Sequence, residues 1–241
     1  MNGIGIDILS ALFEATPVDL LLLASILFCA LGVGVVLGSV AALRGSGVDA
    51  LVTVVSDLLV AVPPFFFVMV LFLGIQRFVP PNAYLPAFAV LFVAVLWPSY
   101  ARSTRARAVQ VARSAYVEAA RSAGASSARL LRRHVIPNSF FPVLAQVPVD
   151  VYNIFFVLTA FPFLACFNPF FSLLSPFPNG RYAEWGYLLA LGACYGWSPL
   201  ASINHWWMYT FPALTILAFG IAVALTCDGL ERYLLGPRGQ T

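Results

Sequence analysis

Within residues 118–138, EAARSAGASSARLLRRHVIPN, four arginines, one glutamate and one histidine share twenty-one positions. Glu118 is a lone carboxylate among cations. Inside the chain it can form an i,i+3 pair with Arg121, an interaction of about a few tenths of a kcal/mol. Outside the chain it can accept a bond from a cation on another protein. The arginines, for their part, suit anionic headgroups, as basic interfacial helices do. The residue types alone leave these uses open.

Bond-making chemistry has little support elsewhere in the chain. No GxSxG, no HExxH and no pair of catalytic acids appears in the apolar segments, which argues against an intramembrane enzyme. The four cysteines, Cys29, Cys166, Cys194 and Cys227, show no CxxC spacing, and His134 and His205 are far apart, so no metal or redox pattern is present. There is no GxxxxGK[ST], and all thirteen basic residues are arginine, so the usual lysine-bearing phosphate loop cannot be built. What remains is recognition, of a membrane surface or of a partner protein.

The segment that carries Glu118 reads as helix, glycine corner, helix. Strong helix formers run over residues 102–123, and Gly124 then falls where a left-handed C-cap belongs. Ser126 or Ser127 can cap a second helix, which is expected to stop at Ile136 because Pro137 disfavours helical geometry before it. On that helix Ala128, Leu131 and Val135 form one stripe and Arg129, Arg132 and Arg133 fan around the rest. Neither helix is long enough to be stable alone in water, so the hairpin must pack on something.

Around it the chain is apolar. Of 241 residues 61% are hydrophobic and 10% charged, against about a quarter charged in ordinary globular proteins. The apolar residues form blocks near the roughly 20 residues that a helix needs to cross a bilayer core about 30 Å thick. An all-α membrane protein with five spans is expected, at about residues 20–43, 51–75, 85–100, 140–166 and 207–227. Basic residues favour the cytoplasmic side. With the hairpin inside, eleven of thirteen arginines are cytoplasmic and only Arg77 and Arg181 fall outside. The N-terminus is then outside and the C-terminus inside. The first residues lack the basic and short apolar regions of a signal peptide.

Several residues in or near the spans have two readings. Asp57 lies toward the cytoplasmic end of the second span, either paired with Arg102 or lining a pathway; Asp150 is deeper and expected to face a pore. Pro63 and Pro64 must kink or unwind the second span, as a gate element or a tolerated bend. Cys166 and Cys194 both fall outside, where a disulfide is geometrically conceivable. Trp206 and Trp207 suit an interfacial belt, and the aromatic loop that includes Phe170, Tyr182, Trp185 and Trp197 suits either packing or stacking on a sugar.

Glu118-Ala119-Ala120, Gly124 and His134-Val135-Ile136-Pro137-Asn138 together resemble the EAA loop of type I ABC importer permeases, in the form found in the dipeptide/oligopeptide/nickel permease family. GIDILSAL, VSDLLVAVP, WPSYAR, EWGYLLALG, FPALTI and CDGLERYLLGPR are similar to other segments of that family and occur in its order. The resemblance implies a permease domain over about residues 18–233, after an external segment 1–17 and before a cytoplasmic tail 234–241. Within that domain it implies a coupling hairpin at about 105–138 and an external aromatic loop at about 168–206. It also implies six spans with a cytoplasmic N-terminus, whereas this chain starts near the approach to the second. An absent first span is therefore expected, as a five-span form, a split gene or a misassigned start.

The same resemblance implies the partners: a second permease subunit, a pair of ATPase subunits holding ATP and Mg, an extracytoplasmic solute-binding protein and the lipid bilayer, with no nucleic acid. It implies that Glu118, Ala119, Ala120, Gly124, His134, Pro137 and Asn138 engage the ATPase. The cargo expected is peptide, with oligosaccharide or nickel as alternatives. A non-transporting membrane scaffold is the reading left if the pore is incomplete.

Overall fold

A computed structural model describes residues 7–44, 46–75, 78–80, 83–167, 184–196 and 206–235. Those residues are helical or in turns, with no strand among them. The helices are α1 (Ile8–Arg44), α2 (Ser46–Val60), α3 (Pro64–Ile75), α4 (Tyr84–Ala112), α5 (Ala115–Ser122), α6 (Ser127–Leu130), α7 (Ile136–Phe140), α8 (Val147–Phe167), α9 (Trp185–Gly196) and α10 (Trp207–Leu235). A π-helical turn, Leu131–Val135, joins α6 to α7, and a 3-10 turn, Phe141–Gln146, joins α7 to α8.

Four helical stretches are long and apolar enough to cross a membrane, in α1, α4, α8 and α10, and α2 with α3 makes a fifth if the broken pair counts as one span. Four of the five expected spans are thus present as continuous apolar stretches, and the expected second span is the broken pair. The first helix starts at Ile8, well before the apolar block at Leu20, and carries Pro17 within it. Proline 63 acts as expected: the helix ends at Val60 and restarts at Pro64, at the first helical position, where a missing N–H costs nothing. At the break the Ala61 amide still donates to the Asp57 carbonyl and that of Val62 to Leu59.

The chain forms two compact units. One comprises residues 1–25, 65–91 and 151–222, the other 26–64, 92–150 and 223–241. In the first, Phe72 is fully buried between the edges of Tyr84 and Phe88, at centroid separations of 5.6 and 4.9 Å. Trp185 stacks on Phe155 and meets Phe219 edge-on, an arrangement favoured by the ring quadrupoles. Gly192 and Gly220 let α9 and α10 approach their neighbours, because a Cβ on either would overlap Met208 or Tyr152.

In the second unit Gly34 and Gly38 on α1 face α4. A Cβ at Gly34 would stand 2.8 Å from the Trp97 carbonyl oxygen, and one at Gly38 would stand 3.0 Å from the Arg105 nitrogen. Small residues one helical turn apart allow such close backbone contact between spans, where dispersion rather than the hydrophobic effect holds helices together. Tyr100, Ala101 and Thr104 on α4 are fully buried as a result. This contact fixes the C-terminal end of α4, from which the hairpin grows.

Candidate functional site: the helix–glycine–helix hairpin

The hairpin is continuous with the span before it. A separate first helix from Arg102 was expected, but α4 runs unbroken from Tyr84 to Ala112 and the chain turns only at Arg113 and Ser114. Ser114 is extended (φ −72°, ψ 147°), and its carbonyl accepts from the amides of Val117 and Glu118, starting α5. The serine hydroxyl donates to the Val111 carbonyl at 2.6 Å, sealing the last turn of α4.

Helix α5 closes in a Schellman arrangement. The Gly124 amide donates to the Arg121 carbonyl and the Ala125 amide to the Ala120 carbonyl, both at 3.0 Å. Gly124 has φ +83°, the only positive φ among the described residues. A Cβ there would meet nothing within 4 Å. The backbone conformation, and not crowding, therefore requires glycine. The next residue pair starts α6: Ser126 is extended and its hydroxyl accepts from the Arg129 amide at 3.4 Å.

Beyond α6 the expectation of a stop at Ile136 fails. The helix passes through Pro137 by widening to a π turn over Leu131–Val135. In an α-helix the proline ring would press on the Arg133 carbonyl and no amide would reach it. The wider turn relieves that position, and the Asn138 side-chain amide donates to the His134 carbonyl at 2.6 Å. Asn138 and Pro137 thus act as a pair that keeps the helix going. His134 is half-buried beside the Tyr116 ring, 6.0 Å between centroids.

A small core ties the hairpin to the spans. Val117, Leu130 and Val135 are buried with Ala108 and Val111 of α4, and Ala42, Leu43, Ala120 and Ala125 pack against them. Leu131, placed on the apolar stripe by its spacing, is only half-buried; Leu130 takes the core position, and Ala128 is exposed. The π turn shifts the stripe by one residue.

The outer surface is then defined. Glu118 and Ala119 are exposed, while Ala120 packs inward on the hairpin core. Glu118 forms no ion pair with Arg121 or any other described residue. Arg129, Arg132 and Arg133, with Ser126 and Ala128, line an open concavity of about 490 Å3. The hairpin thus exposes a lone carboxylate on α5 and a cationic hollow on α6 and the π turn, two opposite charge features for a partner to match.

Asp57 and Asp49 of the second unit pair with arginines. Asp57 lies 3.3 Å from Arg102, both exposed, which realises the paired alternative. Asp49, near the start of α2, receives both Nε and NH2 of Arg105. Sequence reading passed over this bidentate pair because the partners are 56 positions apart. Ser99 and Gln146 bridge α4 to the 3-10 turn at 2.5 Å. Asp150 is buried, 4% exposed, beside Tyr100.

Two buried acids of the first unit also escaped the sequence reading. Asp19 and Glu184 are 1% and 0% exposed; Asp19 accepts from the Trp185 amide at 2.9 Å and Glu184 from that of Gly186 at 2.6 Å. Burial, and then the nearby Asp19, push the Glu184 carboxyl well above its ordinary range. Their signal in the sequence is the presence of an acid in an apolar run. Trp185 belongs to this packed cluster, its indole N–H donating to the Leu12 carbonyl, which is the packing alternative for that residue. Trp206 and Trp207 are exposed at the start of α10. Cys166, Cys194, His205 and Phe170, Tyr182 and Trp197 of the aromatic loop lie outside the residues whose side chains are described. Among the described residues no cluster of three or more metal-ligating side chains occurs.

With this geometry in place, comparison with known proteins is specific. Residues 34–232 match the model of the family described as binding-protein-dependent transport system inner membrane component. The chain is 26% identical over 237 residues to an Escherichia coli K12 protein named as a D,D-dipeptide transport system permease, covering 98% of this chain and 72% of that one. It is 32% identical over 191 residues to a Brucella suis biovar 1 protein named as a peptide transport system permease, covering 79% of this chain and 56% of that one. A solved amino acid ABC transporter structure superposes with a TM-score of 0.52 at 17% identity, over 95% of this chain and all of that one, and shows the fold.

Proposed function

The chain belongs to the family of binding-protein-dependent transport system inner membrane components, and from that premise we propose that it is a permease subunit of an ATP-driven importer whose hairpin at residues 115–140 couples the spans to a separate ATPase. The observation that carries this is the exposed pair Glu118-Ala119 on a hairpin whose inner face is bolted by Val117, Leu130 and Val135 to the end of α4. A force applied at the outer face is delivered to the span, because the core between them is buried and no flexible linker intervenes.

The proposed division of labour follows from composition. The family is one of transport permeases, and with no lysine and no phosphate loop ATP and Mg are held by the partner. Glu118 accepts a bond from a cation of that partner and the arginine hollow receives an acid. Gly124 fixes the angle between α5 and α6. Closure of the ATPase pair then biases the spans between inward- and outward-facing arrangements, coupling two distant sites through one bistable element. A second permease subunit completes the pore and a solute-binding protein delivers the cargo. Peptide is the cargo we propose, on the strength of the names carried by the relatives. The arginine count orients the chain with its hairpin and C-terminus in the cytoplasm.

The test is reconstitution with the ATPase, second permease and binding protein encoded nearest to this gene. Peptide-loaded binding protein should raise ATP turnover and drive peptide into proteoliposomes. Glu118→Ala should insert normally and lose that stimulation. If no ATPase co-purifies with the unaltered chain, the proposal fails.

A further inference from the structure

We propose that the cavity between the cytoplasmic ends of α1 and α4 and the first hairpin helix binds the headgroup of an anionic phospholipid. The cavity measures about 400 Å3, and its lining includes Arg105 and Arg113 from the α4 side, Arg121 from α5, Asp49 from α2, and the apolar Leu43 and Val109. It is separate from the hollow lined by Arg129, Arg132 and Arg133.

The charges in this cavity do not cancel. Asp49 engages Arg105 through two parallel hydrogen bonds, which fixes that guanidinium and neutralises it. Arg113 and Arg121 form no salt bridge with a described carboxylate, and Glu118, three positions before Arg121, does not reach it. Two uncompensated guanidinium groups therefore border a cleft whose opposite wall is the last turn of one span and the side of another. A phosphodiester supplies the acceptor oxygens that planar guanidinium forks match. The wall of Leu43 and Val109 suits the glycerol and first methylenes of a lipid and gives nothing to a protein carboxylate. Basic pockets between spanning helices on the cytoplasmic side take such headgroups in general.

The position gives the occupant a mechanical role. Arg113 lies at the break between α4 and α5, and Arg121 in the last turn of α5. A headgroup bound by both ties the hairpin to the span ends across the turn at Arg113 and Ser114, where the backbone leaves helical geometry between α4 and α5. Anionic lipid thus stiffens the joint, whether or not an ATPase is docked.

The experiment is lipid titration of the full-length chain in detergent, read by native mass spectrometry, with phosphatidylglycerol against phosphatidylcholine. Each juxtamembrane arginine contributes about fivefold in affinity, so Arg113→Gln with Arg121→Gln should weaken phosphatidylglycerol binding about 25-fold and leave phosphatidylcholine unchanged. Arg129→Gln with Arg132→Gln should change it less than about twofold on the same scale. Should the double variant fail to insert, each single variant decides the matter by its own fivefold loss. Equal phosphatidylglycerol binding in wild type and variants overturns the proposal. So does an equal loss in both double variants, which marks a diffuse charge effect, or displacement of the lipid by millimolar inorganic phosphate, which marks a site for the free anion. Loss of ATPase co-purification with lipid binding intact would reassign the cavity to a protein contact.

Discussion

Gly124 allows strain and bulk to be told apart, because its φ of +83° demands glycine while its surroundings do not. An L-residue in the left-handed region costs about 1–2 kcal/mol, which corresponds to a factor of about 5–30 in an equilibrium. With nothing within 4 Å of the added carbon, Gly124→Leu should carry the same cost as Gly124→Ala. Gly124→Asn should cost less, since asparagine tolerates this conformation. The strained bonds are those from Gly124 and Ala125 to the Arg121 and Ala120 carbonyls. Hydrogen exchange of the hairpin, followed by mass spectrometry on the purified chain in nanodiscs, should show these amides opening about 5–30 times more often in the alanine and leucine variants and only slightly more often in the asparagine variant. Stimulation of ATP turnover should fall in the same order. Exchange rates that rise with side-chain volume, or an alanine variant as well protected as wild type, would refute the reasoning from φ.

Two further outcomes follow from the same structure. Leu130→Ala empties a buried site in the hairpin core and should cost about 2–5 kcal/mol, seen as selective loss of hairpin protection while the spans remain protected. Glu184 has its carboxyl raised above the ordinary 4.5, so the folded chain holds a proton that the unfolded chain releases, and stability present below about pH 4.5 is lost as pH rises toward the folded value. Glu184 should therefore contribute a loss of thermal stability above about pH 5 of no more than about 1.4 kcal/mol per pH unit, and Glu184→Gln should reduce the slope of stability against pH; a slope unchanged in the variant would contradict the buried, protonated acid.

The parts of this molecule set by local chemistry are visible in the sequence. Apolar block length, the Pro63 break, the Gly124 corner and the Ser126 cap each depend on a few neighbouring residues, and all appear where the residue types put them. Failures arise where a feature depends on geometry that no short window contains. Pro137 does not end its helix, because a π turn upstream opens the space its ring needs and Asn138 covers a carbonyl. That same turn moves the buried position from Leu131 to Leu130, which a period of 3.6 cannot anticipate. The Asp49–Arg105 pair and the Asp19–Glu184 cluster join residues far apart in the chain, so only the packed fold brings them together. Gly34 and Gly38 hold α1 against α4 through backbone contact, which hydropathy does not register.

The coupling role of the hairpin is tested most directly by a photo-crosslinking amino acid at Ser122, an exposed position in the last turn of α5. In membranes containing the whole assembly, illumination should join this chain to the ATPase subunit in one dominant product, and Gly124→Ala should reduce its yield. Capture of lipid alone, or of no protein at all, would contradict the claim that this corner is where the ATPase takes hold.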